Sequence, residues 1–274
     1  MQPKTVLITG CSSGIGRATA EAFLDEEWEV YATARNPADI ETLGERGCTI
    51  ATLDVTDPDD VDRVVDRILD EQGRIDCLVN NAGYAQFGPL EDVPTDAVHR
   101  QFDVNVYGPH RLIRAVLPHM RRRREGTIVN VSSVAGRLSF PGGGVYCGSK
   151  FALEAMTDAL RAEVEEYGID AVLIEPGPVD TSFTDRAESE LSGVERSGAY
   201  ESFYSVFEDT QAIGGGGLGA VSPDRVAADV LNAASSTKPA SRVPVGTLAR
   251  VTVFGRFVPD SLRDRAFGLL DRLR

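Results

Sequence analysis

Short apolar runs alternate with longer amphipathic stretches over most of the chain. The runs are short and rich in β-branched residues, so they predict strands, and the stretches between them have apolar residues three or four positions apart, which predicts helices. The predicted strands are 5–9, 29–34, 49–53, 77–79, 127–131, 169–174 and 242–245, and the predicted helices begin near residues 18, 57, 95, 146 and 222. This alternation is typical of an α/β protein with a mainly parallel sheet.

Length and composition indicate one domain. The 274 residues are 42% hydrophobic and 26% charged, and the chain shows no internal repeat and no linker. We therefore predict a single domain over 1–274. The stretch 183–220 is the least patterned part and is predicted to be a substrate lid, while 247–274 is predicted to be a C-terminal extension.

Charge and residue usage limit the partners. A net charge of −14 leaves no basic surface for nucleic acid, and the basic run 121–124 is interpreted as the solvated end of a helix. The chain begins close to an apolar strand and has no apolar stretch of ~20 residues, so we expect a cytoplasmic protein without a signal peptide or a membrane span. The three histidines and four cysteines lack metal-ligand spacing, so we expect reduced thiols and no metal site. Only three of the 28 basic residues are lysines, and an acidic, lysine-poor surface leads to the hypothesis of a protein adapted to high salt.

A glycine-rich turn follows the first predicted strand. It reads Thr-Gly-Cys-Ser-Ser-Gly-Ile-Gly, with glycines at Gly10, Gly14 and Gly16, and a helix follows. Glycines let the backbone approach a phosphate, and the helix start offers free N–H groups to it. The spacing departs from the G-x-G-x-x-G fingerprint, and a purely structural turn is the alternative interpretation.

Arg35 stands just after the second predicted strand, about 20 residues beyond the glycines. In dinucleotide sites an acidic residue there binds the ribose 2′-hydroxyl of NAD, whereas an arginine suits the 2′-phosphate of NADP. No carboxylate occupies this place, so NADP(H) is predicted as the preferred cofactor, with NAD(H) as the alternative and Ser12 as a second phosphate ligand.

Tyr146 and Lys150 are four residues apart, which places both side chains on one face of a helix. A neighbouring cation lowers the pKa of a phenol, so Tyr146 is a candidate acid/base for an alcohol oxygen. Ser133 lies upstream across a Gly/Pro-containing loop, and its hydroxyl can donate to the same oxygen. Taken alone, this spacing also describes a half-buried tyrosine beside a solvated lysine.

The remaining motifs complete a resemblance to a known family. Asn80-Asn81-Ala82-Gly83 follows the fourth predicted strand, and Asn105 lies inside a predicted helix, where asparagine is unfavourable unless its side chain makes specific contacts. Together with the glycine turn, Ser133, Tyr146 and Lys150, these motifs occur in the order and at the spacing of the short-chain dehydrogenases/reductases. The chain resembles that family over residues 4–234, and the stretch after Tyr146 resembles its steroid and retinol dehydrogenases.

The resemblance implies a Rossmann-like, doubly wound sheet of seven mainly parallel strands with helices on both faces. It implies hydride transfer between a nicotinamide and a carbonyl or secondary alcohol, with Tyr146 as acid/base, Lys150 as pKa depressor and ribose ligand, Ser133 as donor to the substrate oxygen and Asn105 as relay support. The implied cofactor-binding residues are Gly10, Ser12, Ser13, Gly14, Ile15, Gly16, Arg35, Asp54, Val55, Asn81, Ala82, Gly83, Tyr146, Lys150, Pro176, Gly177, Val179 and Thr181. A homodimer or homotetramer is implied as well.

Several alternatives stay open on the sequence alone. The lid aromatics, which are Phe183, Tyr200, Phe203, Tyr204 and Phe207, indicate either a fairly apolar substrate or ordinary packing. The tail 247–274 fits a membrane-surface helix, but acidic residues on its polar face favour packing on the same chain or on a partner subunit. A non-catalytic NADP(H)-binding regulatory protein is the rival function, since a fold alone does not fix an activity.

Overall fold

A computed structural model describes residues 2–265 except 182, 194, 202 and 206–218. Within these residues seven strands form one sheet, and every neighbouring pair is parallel. The strands are β1 (Thr5–Ile8), β2 (Glu29–Ala34), β3 (Thr49–Thr52), β4 (Cys77–Asn80), β5 (Gly126–Val131), β6 (Ile169–Pro176) and β7 (Arg242–Val245). Their order in the sheet is β3-β2-β1-β4-β5-β6-β7. The predicted doubly wound, Rossmann-like fold is confirmed.

Helices cover both faces of the sheet. They are α1 (Gly14–Asp25), α2 (Glu41–Glu45), α3 (Pro58–Gln72), α4 (Thr95–Phe102), α5 (Gly108–Arg123), α6 (Gly144–Val164), α7 (Phe183–Ser192), α8 (Pro223–Ser235) and α9 (Thr247–Thr252). Successive strand residues point to opposite faces, so Val6 and Ile8 pack with α1 and α8, while Leu7 packs with α3 and α5. The sheet therefore separates two apolar cores.

Helix ends follow the signals in the sequence. Asp57 caps α3 by accepting a hydrogen bond from the backbone N–H of Asp59, and Gly73 ends that helix with φ 71°. Ser222 caps α8 by accepting from the backbone N–H of Arg225. Both helices begin with a proline whose fixed φ suits the first helical position. The predicted starts of α3 and α8 are confirmed.

The long helix predicted from residue 95 is interrupted. A π-helical turn, Asp103–Tyr107, separates α4 from α5, and the backbone N–H of Gly108 bonds to the carbonyl of Asp103, five residues back. Pro109 has no N–H, so the regular bonding pattern cannot continue through it. Such turns occur often at functional sites.

The order in which strands are added to the sheet reverses between β1 and β4, while all the strands stay parallel. The chain builds β1, β2 and β3 outward on one side, then returns to place β4 beside β1 and continues outward on the other side. At such a point the loops that leave two neighbouring strands turn in opposite directions, which opens a crevice beyond their carboxyl ends. The fold therefore places the glycine turn after β1 and the Asn-Asn-Ala-Gly segment after β4 at one crevice.

Candidate active site

A cavity of about 780 Å³ occupies this crevice. Most of the predicted site residues line it: Gly10, Ser12, Ser13, Gly14, Ile15, Arg35, Asp54, Val55, Asn81, Ala82, Gly83, Ser133, Tyr146, Lys150, Pro176, Gly177, Val179 and Thr181. Gly16 and Asn105 do not line it and act from behind its wall. The topology thus brings residues from seven segments of the chain to one site.

The glycine turn is held in a conformation that side chains would disturb. Gly10 and Gly14 have φ of 73° and 54°, in the left-handed region that favours glycine. A Cβ atom on Gly16 would overlap the carbonyl oxygen of Gly10 and the side-chain amide of Asn81. The close approach of α1 to the turn therefore requires glycine at position 16.

The amino end of α1 suits an anion. Ser13 is the N-cap residue but its side chain makes no capping hydrogen bond, and the first turn carries no acidic residue. The backbone N–H groups there face the cavity with the positive end of the helix dipole behind them. This chemistry fits the phosphates of a dinucleotide, so the turn and the start of α1 are the residues that would hold them.

The segment after β4 braces the glycine turn. The Asn81 side chain donates to the carbonyls of Thr9 and Gly10 at 2.9 and 3.1 Å, and the Thr9 hydroxyl accepts from the backbone N–H groups of Asn81 and Ala82, both at 3.0 Å. Asn80 instead points into the sheet and donates to Asn130 at 2.8 Å. The first asparagine therefore ties β4 to β5, and the second fixes the cofactor end of the cavity.

Arg35 follows β2 and is exposed at the cavity. Among the described residues no carboxylate forms an ion pair with it. A half-buried carboxylate does stand nearby in the lining, since Asp54 follows β3, but it accepts from the backbone and hydroxyl of Thr56 at 2.9 and 2.7 Å. The guanidinium thus remains available for an anion at this end of the cavity.

Ser133, Tyr146 and Lys150 form the opposite end. The Ser133 hydroxyl accepts from the backbone N–H of Ala135 at 3.1 Å, and its hydrogen bond to the Tyr146 phenol acts to lower the phenol pKa. Burial has the larger effect and raises the pKa of Tyr146 to about 12. The Lys150 ammonium lies 5.9 Å from the centre of the Tyr146 ring and donates to the carbonyl of Val131 at 2.9 Å.

In the protein by itself burial outweighs any lowering of the Tyr146 pKa, and the predicted lowering of that pKa by Lys150 stays a prediction. The lysine is turned toward β5, and burial of the phenol, which is 8% exposed, dominates. Lys150 is itself buried, which lowers its pKa to about 8, and the neighbouring Glu154 carboxylate acts to raise it.

Asn105 lies in the π-helical turn and is 1% exposed. Its amide nitrogen donates to the Tyr84 carbonyl at 3.0 Å and to the Ser149 hydroxyl at 3.2 Å, while its oxygen accepts from the Tyr84 N–H at 3.2 Å. A Cβ atom on Gly83 would come within 3.1 Å of that oxygen. Asn105 thus joins the Asn-Asn-Ala-Gly segment to the helix that carries Lys150, and its part in a relay stays a prediction.

The segment after β6 closes the cavity from above. Val179 pairs with Val221 as an isolated parallel bridge, and backbone hydrogen bonds of 3.0 Å join Asp180 and Pro178 to Val221. The Thr181 side chain packs against Gly14, where a Cβ atom would lie 3.0 Å from it. The predicted nicotinamide segment is therefore fixed to the body of the protein and touches the glycine turn.

Sequence reasoning missed the aromatic wall around Tyr146. The rings of Phe87 and Phe183 lie 5.9 and 5.8 Å from the Tyr146 ring, and Phe140 lies 6.2 Å from Phe87. Phe87 and Phe140 come from two loops and Phe183 begins α7, with no shared motif, so only Phe183 had a signal, as one of the lid aromatics. They make the part of the cavity around Tyr146 apolar.

The other described lid aromatics pack on the protein body. Tyr200 and Tyr204 donate to the carboxylates of Glu91 and Asp92 at 2.7 and 2.8 Å, and Phe203 lies against Gly142. Phe207 and the glycine run 214–217 lie outside the described residues. Tyr200, Phe203 and Tyr204 thus follow the packing interpretation, and the apolar substrate stays a prediction.

Apolar side chains from other residues pack directly on the backbone of three consecutive glycines just before Tyr146. Phe203 lies against Gly142, Phe140 against Gly143 and Leu90 against Gly144, each so close that a Cβ atom would overlap it or come within 2.9 Å. Of these three side chains, Phe140 lines the cavity.

In the described residues no helix is long and apolar enough to cross a membrane. In the same residues no three His, Cys, Asp or Glu side chains are grouped to hold a metal ion. The four cysteines are buried and free.

Comparison with known proteins agrees with this architecture. The family model described as short chain dehydrogenase matches residues 4–192. The chain is 38% identical to the uncharacterized oxidoreductase YbbO of Escherichia coli (strain K12), covering 96% of this chain and 93% of that protein. It is 35% identical to 3-ketodihydrosphingosine reductase of Bacteroides thetaiotaomicron, covering both chains fully, and 38% identical to human retinol dehydrogenase 8, covering 88% and 80%.

Solved structures agree as well. A short-chain dehydrogenase from Streptomyces avermitilis shares 32% identity and a TM-score of 0.82, covering 98% of both chains. A Burkholderia phymatum enzyme in complex with NAD (26% identity, TM-score 0.76, covering 88% of this chain and 89% of that chain) and a serine dehydrogenase complexed with NADP⁺ (26%, 0.77, covering 89% and 95%) are also similar. The chain belongs to the short-chain dehydrogenase family and is an NAD(P)-dependent oxidoreductase of that family.

Proposed function

We propose that this protein is an NADP(H)-dependent enzyme that interconverts a carbonyl and a secondary alcohol, with Tyr146 as the acid/base. The observation that carries the proposal is the cavity itself, which has an anion-binding glycine turn at one end and Ser133, Tyr146 and Lys150 at the other. The rival function, a non-catalytic NADP(H)-binding protein, needs the first end and leaves the second without a use.

Each residue has a distinct role in this proposal. The nicotinamide cofactor, when bound, supplies or accepts the hydride. Ser133 donates a hydrogen bond to the substrate oxygen, and Tyr146 exchanges a proton with that oxygen through its phenol. With a pKa of about 12, Tyr146 carries its proton at neutral pH and suits the reductive direction. In the oxidative direction the Lys150 ammonium would stabilise the phenolate, and it is the residue that would hold the cofactor ribose.

One observation supports NADP(H) over NAD(H). Arg35 lines the cavity with no carboxylate partner among the described residues, and a guanidinium is well suited to a 2′-phosphate. Similar solved structures hold either NAD or NADP⁺, so the family accommodates both and the choice lies in local residues such as Arg35.

The aromatic wall supports a fairly apolar carbonyl substrate. Phe87 and Phe183 flank Tyr146 and Phe140 packs near Phe87, and two relatives are named for 3-ketodihydrosphingosine and retinol. The homodimer or homotetramer and the cytoplasmic location stay predictions from the sequence.

The test is absorbance at 340 nm with NADPH and NADH in parallel against a panel of ketones and aldehydes. Tyr146→Phe is expected to reduce turnover by at least ~10²-fold without changing NADPH affinity, because only the proton donor is lost. Tyr31→Phe is the matched control, since burial also raises the Tyr31 pKa to about 12 but its phenol bonds to Glu71, away from the cavity. Near-normal turnover of Tyr146→Phe contradicts the acid/base role. NADPH binding without turnover of any carbonyl favours the rival function.

A further inference from the structure

Four charged side chains meet behind the cavity, and none of them lines it. Glu154 lies on α6 one turn beyond Lys150, Glu175 lies near the end of β6, Arg137 follows the short helical turn after Ser133, and Arg242 begins β7. The side chains of Glu154 and Glu175 are only 4% and 2% exposed. Carboxylates are rarely buried to this extent unless they are paired.

The two arginines pair with both carboxylates. The Arg242 guanidinium donates to Glu154 and Asp158 on α6, and to Glu175 on β6 at 2.7 Å. Arg137 lies 3.7 Å from a carboxylate oxygen of Glu154 and 3.7 Å from one of Glu175. The cluster therefore joins the catalytic helix, the strand before the nicotinamide segment and the loop after Ser133.

Glu154 connects this cluster to the site. The Ser132 hydroxyl lies beside the Glu154 carboxylate and acts to lower the pKa of Glu154, which burial raises. Gly136 leaves room for this contact, since a Cβ atom there would lie 2.8 Å from Glu154 and 2.9 Å from the Ser132 oxygen. On the other side, the Glu154 charge acts on the Lys150 ammonium.

Cations and anions are interleaved around Lys150. Three anions (Glu154, Glu175 and Asp158) face Lys150, Arg137 and Arg242, and Arg161 pairs with Asp158 at 2.9 Å. Arg256 approaches Arg137 from the tail, Tyr146 and Cys147 lie beside each other on α6, and the Val131 carbonyl accepts from Lys150. Loss of the Glu154 charge would leave excess positive charge beside a buried ammonium.

We propose that Glu154 is a positioning residue for the proposed reaction: its carboxylate keeps Lys150 in the ammonium form and holds the Ser132 segment against the catalytic helix. The inference rests on the proposed function for the role of Lys150. Glu154 acts only through Lys150 and Ser132, because it does not line the cavity.

The test measures the charge of Lys150 directly in cofactor-free protein. The chain has only three lysines, Lys4, Lys150 and Lys238, so ¹³Cε-lysine labelling gives three NMR resonances, two of them internal references. Glu154→Gln is expected to lower the Lys150 pKa by about one pH unit or more, because it removes one negative charge that lies one helical turn away in the protein interior. Asp158→Asn is the matched control, because Arg242 also binds Asp158 but that side chain is 47% exposed and screened by solvent.

A second variant guards against failure of Glu154→Gln to fold. Arg137→Gln leaves Glu154 paired with Arg242 and is expected to raise the Lys150 pKa, the opposite direction. A Lys150 pKa that stays within about 0.2 units of the wild-type value in the folded variants, or an equal shift in Asp158→Asn, overturns the inference.

Activity separates this inference from the proposed function. In Glu154→Gln the alkaline limb of kcat/KM for carbonyl reduction should move to lower pH by the same amount as the Lys150 pKa, while Asp158→Asn keeps the wild-type profile. A lowered Lys150 pKa with an unmoved alkaline limb supports the link between Glu154 and Lys150 and contradicts the proposed role of Lys150 in the reaction.

Discussion

Lys150 carries a charge that folding must bury, and replacing it should reveal the cost. Burial lowers its pKa from 10.5 to about 8, and at about 1.36 kcal/mol per pH unit this difference corresponds to ~3 kcal/mol of lost stability at pH 7. This loss of stability has its full size below pH 8, where Lys150 carries its proton in both the folded and the unfolded chain. Between pH 8 and 10.5 the unfolded chain binds more protons than the folded one, so stability rises with pH.

Lys150→Met removes this dependence. The free energy of unfolding of the wild-type protein should therefore rise by ~2–3 kcal/mol relative to the variant between pH 7 and pH 10. The lost hydrogen bond to the Val131 carbonyl adds a term that does not change with pH, because a neutral amine also donates.

The assay is urea unfolding of cofactor-free protein at several pH values and one protein concentration. Trp28 is the only tryptophan, and it is buried with its ring 4.9 Å from that of Phe23, so its fluorescence reports loss of the core. Lys238→Met is the control, because that lysine is exposed and should give a difference independent of pH. A Lys150→Met difference that stays constant from pH 7 to pH 10 refutes the reasoning.

Two further substitutions test the cofactor end of the cavity. Arg35→Asp should move the preference from NADPH toward NADH, measured as the ratio of kcat/KM values, and an unchanged ratio means that another residue holds the 2′-phosphate. Gly16→Ala should weaken binding of both cofactors at least ~10-fold in a fluorescence titration, since its Cβ overlaps the Gly10 carbonyl. Gly44→Ala is the control for a changed glycine, because a Cβ atom there comes no closer than 3.4 Å to Ile50 and Gly44 does not line the cavity. Wild-type affinity in Gly16→Ala contradicts the close approach.

The fold could be predicted because its signals are local. Strands that are buried on both faces have continuous apolar sequences. The capping residues Asp57 and Ser222 are each followed by a proline that marks the start of a helix. The short helix α2 escaped prediction because five residues carry no clear periodicity. The π-helical turn before Pro109 escaped because residues 95–124 keep a helical pattern across it.

The site was predictable only where motif and topology coincide. The glycine turn, Asn81, Ser133 and Tyr146 sit at strand ends or at a helix start, so their positions follow from the fold. The protonation state of Tyr146 depends on burial, which spacing does not reveal. Arg242 lies 88 residues from Glu154 and 67 from Glu175, so no local pattern could bring that cluster together.

The glycines at 142–144 let apolar side chains pack on their backbone next to the helix that carries Tyr146 and Lys150. Tyr146 and Lys150 are anchored by α6, β5 and the buried charge cluster, whereas Phe140, Phe203 and Leu90 rest on bare backbone. Phe140 alone of these three side chains lines the cavity, so adding a methyl group at Gly143 would displace a cavity side chain and leave Ser133, Tyr146 and Lys150 unchanged. We therefore expect position 143 to be where a change of one carbon atom reshapes the cavity beside Tyr146.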